Sequence, residues 1–116
     1  MNAMRFKIRN VLKELEAHIH PTRPDSDIRG KSEWKQYADG TYRFKVSVRN
    51  ISLPDNSQID LMLNDVRIMQ LTLIHNKAKI DRESQTRMEI PNIHAGQVLQ
   101  VKFGEMVLAE GVYVEE

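Results

Sequence analysis

From Tyr42 to Arg49 apolar and polar side chains alternate without a break. Tyr42, Phe44, Val46 and Val48 share one parity, and Arg43, Lys45, Ser47 and Arg49 the other. Successive side chains of a strand point to opposite faces, so a period of two marks a strand with one buried face. Asp39-Gly40 stands just before it, and such a pair favours a type I′ hairpin turn, with positive φ at both central residues.

The same grammar recurs along the chain. Leu15, Ala17 and Ile19 alternate with Glu16, His18 and His20. Ser32, Trp34 and Gln36 alternate with Lys31, Glu33 and Lys35. Ile59, Leu61 and Leu63 lead into Asn64-Asp65, a second tight-turn pair, and Val66 and Ile68 begin the return strand. The apolar parity then changes, from even at Val66 and Ile68 to odd at Leu71 and Leu73. A slip of one residue turns every later side chain to the other face, so a β-bulge near Met69-Gln70, or a strand crossing between sheets, is expected. Ala78 and Ile80, then Leu99 to Phe103, then Met106 to Val114 supply the remaining strands, with Gly111 read as a bulge. Leu61 to Ile68 and Val101 to Leu108 follow one pattern: apolar, x, apolar, turn pair, apolar, x, apolar. Hairpin chemistry alone imposes most of that pattern, so duplication and convergence both remain open. The fold class expected is all-β, an antiparallel β-sandwich or small barrel of about 7–8 strands.

One segment departs from the period of two. Ile8, Val11, Leu12 and Leu15 lie at i, i+3, i+4 and i+7, the spacing of an apolar helical stripe. A short N-terminal helix is therefore expected within residues 1–14, ahead of a β domain covering 15–116.

At 116 residues the chain suits a single domain. Its 17 basic and 16 acidic residues leave a net charge of +1, without the basic excess that nucleic-acid binding calls for. Cysteine is absent, which removes disulfides, thiolate metal sites and thiol nucleophiles together. No apolar run approaches the roughly 20 residues that span a bilayer, so membrane insertion is not expected and the chain reads as soluble. The basic start from Arg5 to Leu15 is broken by Lys7, Arg9, Asn10, Lys13 and Glu14 and is not a secretory signal. The compartment stays open.

Candidate chemistry is thin. His18 and His20, at i and i+2, share a strand face and form a metal pair if His75, His94, Asp25 or Asp27 supplies a third ligand. Trp34, Tyr37 and Tyr42 flank one hairpin and are the candidate ligand platform for a sugar ring or partner. Tyr42 keeps phase with Phe44 and points inward with Trp34, whereas Tyr37 is expected to be exposed. Arg43, Lys45 and Arg49, with Lys31 and Lys35 nearby, form a basic face that attracts an acidic partner or simply keeps a strand edge from pairing. Asp25 and Asp27 sit in a proline-rich loop, where aspartates shape turns. Phosphate-binding glycine loops, HExxH and EF-hand loops are all missing, and no catalytic residue or cofactor is expected.

Leu15-Glu16-Ala17-His18-Ile19-His20-Pro21, Gly30-Lys31-Ser32-Glu33-Trp34 and Arg43-Phe44-Lys45-Val46-Ser47-Val48 together resemble a type of small bacterial β-domain of uncharacterised function. The strand–loop–Gly–strand opening is also similar to that of the CHRD (chordin-type) domain. In that family the Ala-His-Ile-His stretch follows a later strand, whereas Ala17-His18-Ile19-His20 lies in the first strand here. The resemblance implies a β fold and no reaction.

These readings converge on a non-enzymatic interaction or assembly module that joins a protein partner or pairs as a homodimer. A carbohydrate- or small-ligand-binding module through the three rings is one alternative, and a metal-binding protein through the two histidines is another.

Overall fold

A computed structural model describes residues 10–85 and 89–116. The described chain is all-β, as its periodicity requires. It contains β1 (Val11–Pro21), β2 (Arg29–Tyr37), β3 (Tyr42–Arg49), β4 (Gln58–Leu63), β5 (Val66–Thr72), β6 (Ala78–Ser84), β7 (Val98–Phe103), β8 (Met106–Val112) and β9 (Val114–Glu115). Neighbours pair antiparallel in the order β5-β4-β7-β8-β1-β2-β3-β6, with β9 added beside β1. Strand β1 serves both halves. It pairs with β2 from Val11 to Ile19, and its far end pairs with β8 through His20 and Pro21. The sheet thereby folds round on itself into a nearly closed barrel. The gap lies between β5 and β6, which touch mainly near their connecting turn, where Ile74 bridges Lys77. Among the described residues no helix is long and apolar enough to cross a membrane.

The inward parity of each strand fills the barrel. Phe44, Val46 and Val48 from β3 are buried with Leu15, Ala17 and Ile19 from β1 and Ile59, Leu61, Leu99 and Val101 from β4 and β7. Each fully buried Leu, Ile, Val or Phe contributes about 1.5–3 kcal/mol. Loops close the two ends. Ile28 and Ile51 enter the core from the β1–β2 and β3–β4 loops, and Ile90 and Ile93 from the β6–β7 connection.

The N-terminal helix expected around Ile8 to Leu15 is not formed where the chain is described, because Val11 to Leu15 already belongs to β1. Residues 1–9 lie outside the described residues. The helix-like spacing has a β origin: the β1–β2 register jumps from Val11↔Tyr37 to Lys13↔Gln36, so Leu12 is bulged out. A bulge breaks the period of two locally, which a period count reads as a turn of helix. The strand region therefore begins ahead of the boundary expected at residue 15.

Turn chemistry is met with one change of type. Asn64 and Asp65 take φ of 46° and 69°, the paired positive values of a type I′ turn. At Gly104-Glu105 only the glycine is positive, at 59°, as a II′ turn requires. The Asp39-Gly40 hairpin forms, but not as type I′. Gly40 alone has positive φ, its N–H donates to Tyr37 O, and Tyr37 N–H donates to Thr41 O at 2.9 Å. This is the longer loop in which a type I turn is followed by a left-handed glycine. Asp39 holds it by accepting from the Thr41 N–H and hydroxyl.

The phase slip in β5 is a bulge. Leu61 faces Met69 and Met62 faces Arg67, which leaves Ile68 as the extra residue, next to the position read from the sequence. Strand β8 carries its counterpart: Val101 faces Ala109 and Lys102 faces Val107, leaving Leu108 extra. The two hairpins thus share both turn position and bulge position, and the bulge is not something a two-residue turn demands. They also pack about a local pseudo-two-fold axis through the Leu61↔Val101 pair, flanked by Asp60↔Lys102 and Met62↔Gln100. Gly111 is not a bulge, since it pairs in register with Leu99. Its missing side chain instead admits β1, because a Cβ there would collide with the His18 carbonyl.

Candidate functional site

The outer face of the β1–β2–β3–β6 layer carries the charged residues that the sequence offered as a basic patch. Cross-strand neighbours neutralise most of it. Lys31 Nζ lies 3.3 Å from Glu16 Oε1, Lys35 reaches Glu14 at 3.6 Å and Glu33 at 3.9 Å, and Lys45 reaches Glu33 at 3.9 Å. Arg43 makes a bidentate pair with Asp81, at 3.0 and 2.8 Å. The acidic partners come from β1 and β6 as well as β2, so a reading of β3 alone shows only its bases. Exposed pairs of this kind each contribute no more than about 1 kcal/mol, but together they offset much of the positive charge of the face.

Glu16 is nearly buried although it faces outward, because β9 runs beside it. A hydrogen bond from the Glu116 carboxyl, with Lys31 and His18 adjacent, holds its carboxyl below the usual range despite burial. The Glu116 carboxyl is raised by the same contact. Alternation places His18 beside Glu16, but the Glu116 contact depends on pairing between distant segments.

The ring platform is not assembled. Trp34 is buried, with its Nε1–H donating to Pro91 O at 2.9 Å and its ring tilted against Tyr42 at a centroid distance of 5.8 Å. Tyr42 is half-buried and accepts from Gln36 Nε2 at 3.3 Å. Tyr37, expected to be the exposed ring, is only 6% exposed. It stands at the end of β2 opposite the Leu12 bulge and engages the Arg43 side chain. With two of the three rings buried, no three-ring face meets solvent.

His18 and His20 are both exposed on one face, as alternation requires. His18 Nε2 lies 3.0 Å from Glu16 Oε1. The expected third ligands lie elsewhere. His75 sits in the β5–β6 turn beside Asp55, His94 contacts Asn92 at 3.4 Å, and Asp25 and Asp27 belong to the β1–β2 loop. Among the described residues no three potential ligands converge on a metal-sized site.

A cavity of about 810 Å³ opens where the β1–β2 and β3–β4 loops meet the start of β8. Asp25, Asp27, Arg23 and Arg29 line it beside Leu53 and Met106. The loop is tied down by Thr22, whose hydroxyl donates to Val107 O at 2.7 Å, and by Asn50, whose amide donates to Asp27 O at 3.0 Å. Hydroxyls elsewhere are engaged in the scaffold: Ser57 with Pro54 O at 2.6 Å, Ser84 with Glu89 at 2.7 Å and Ser32 with Tyr113.

No protein-family model matches the chain, and a search of curated proteins finds no relative. The likeness to the CHRD opening accordingly rests on the quoted residues alone.

Proposed function

We propose that the chain is a non-enzymatic interaction module that associates with a second copy of itself through an open sheet edge. The observation that carries this reading is the contrast between the two end strands. Strand β6 presents Lys79, Asp81, Arg82 and Glu83 to solvent, the charged dress that prevents edge pairing. Strand β5 is less guarded. Val66 at its start is 64% exposed, Ile74 just after its end is 48% exposed, and beyond the Ile74–Lys77 bridge its outer ladder has no partner among the described residues. The Ile68 bulge interrupts this edge, which leaves Met69–Thr72 as the regular stretch for a second strand to meet. Support for association over catalysis is the scaffold use of the ionisable and hydroxyl groups, most of which serve cross-strand pairs or turns.

Size-exclusion chromatography with light scattering across a concentration series tests the proposal. The expected mass climbs towards that of two chains, and Val66→Lys with Ile74→Lys returns it to one. A mass of one chain at every concentration overturns the proposal.

A further inference from the structure

On the outer face of the β1–β2–β3–β6 layer, one like-charged cross-strand pair lacks carboxylate partners among the described residues. Arg29 of β2 and Arg49 of β3 are direct cross-strand partners. Like charges opposed in this way destabilise a strand pair. Lys35 and Arg43 are opposed in the same register, but each of those has its carboxylate. Arg29 has only its Nη1–H donated to Ile28 O, at 2.7 Å, and among the described residues no carboxylate comes within 4.0 Å of either guanidinium. Asp25 and Asp27 share the larger neighbouring cavity with Arg29 but form no ion pair with it.

The backbone draws these two arginines together. A Cβ on Gly30 would lie 2.6 Å from Ser47 O and 3.1 Å from Val48 Cα, so β2 and β3 approach more closely here than a side chain permits. In the next row His18 faces Lys31, and the Ile19↔Gly30 pair sets His20 at the level of Arg29. The result is a surface cavity of about 290 Å³ walled by His18, His20, Arg29, Lys31, Ser47 and Arg49. Every ionisable wall residue is a base, and among the described residues Glu16 is the acid that pairs with them, through Lys31 and His18.

We infer that this end of the sheet binds a dianionic oxyanion, a phosphate group, between Arg29 and Arg49. The planar guanidinium presents paired donors whose spacing matches phosphate oxygens. Lys31 and the Ser47 hydroxyl add donors from the side, and His20 adds one more. A bound dianion converts the repulsion between the arginines into two charge-assisted contacts. The site stands apart from the β5 edge and does not depend on self-association.

The test is a titration of the isotope-labelled full chain with inorganic phosphate and, separately, with O-phosphoserine, followed by amide shifts. Saturable shifts centred on residues 29–31 and 47–49 are expected, with at least about a tenfold loss of affinity in Arg29→Ala/Arg49→Ala. Tighter binding of O-phosphoserine assigns the site to a phosphate carried on a larger ligand, and equal binding assigns it to the free ion. Arg49→Gln supplies a second readout. In phosphate-free, low-salt buffer it melts above the wild type, and added phosphate raises the wild-type melting temperature more than its own. The inference is overturned by shifts that chloride reproduces at equal ionic strength, by no saturation up to about 10 mM, or by a double variant that binds as the wild type does.

Discussion

The Ser32 and Tyr113 hydroxyls lie 2.6 Å apart inside the barrel, and neither residue is exposed. The contact joins β2 to the residue between β8 and β9, across 81 positions of sequence. Two polar groups that are each costly to bury alone satisfy one another there, and among the described residues no buried side-chain polar atom is left without a partner.

Removing one member strands the other. Ser32→Ala or Tyr113→Phe is expected to cost about 1–3 kcal/mol in urea unfolding, because a buried hydroxyl then keeps its desolvation cost without a partner. The double variant is expected to lose less than the sum of the two. Additive losses would show that the hydroxyls do not act as a pair.

Alkaline stability follows from the same residue. Burial pushes the Tyr113 phenol well above its ordinary value of 10.0. The folded state therefore holds the proton where the unfolded chain releases it. This contribution is complete below pH 10.0 and is lost as pH rises beyond it. Tyr113→Phe removes the phenol, so its unfolding free energy is expected to fall less steeply above that pH than the wild type's.

Gly111→Ala probes the close approach of β8 to β1. The added methyl would meet the His18 carbonyl, so the strands must separate, at a cost of about 1–3 kcal/mol. Gly40→Ala makes the contrasting control. Nothing crowds that position, and its cost comes only from the left-handed backbone at φ of 89°. Amide exchange is expected to accelerate around His18 to Pro21 in Gly111→Ala and to stay as in the wild type there in Gly40→Ala.

The Arg43–Asp81 pair gives an acid-side prediction. Its side chains are 35% and 49% exposed, so Asp81→Asn is expected to cost only about 0.2–1 kcal/mol at neutral pH. Arg43 holds the Asp81 carboxyl below its ordinary value of 3.8, so the contribution is present above that pH and disappears as pH falls below it. Wild type and Asp81→Asn stabilities are expected to converge in acid.

Much of the fold was legible because its signals are local. Alternation at Tyr42 to Arg49 marked β3, Asn64-Asp65 marked the β4–β5 turn, and the parity change after Ile68 marked a bulge within a residue or two. The candidate sites were less legible. A local period took Val11, Leu12 and Leu15 for helix because the Leu12 bulge imitates helical spacing. Tyr37 is buried although the sequence points it to solvent, because a period of two does not report contacts such as that with the Arg43 side chain.

By itself the sequence determined the β class, the strand faces and most turns, since side-chain alternation and positive-φ preferences act between neighbours in the chain. Only the tertiary structure decided which strands meet, and charge neutralisation depends on that. Lys31, Lys35, Lys45 and Arg43 looked like one basic face until register supplied Glu16, Glu14, Glu33 and Asp81. Arg29 and Arg49, twenty positions apart, were brought face to face by the same register with no carboxylate beside them among the described residues. Electrostatic interaction depends on distance in space, and sequence separation does not report it.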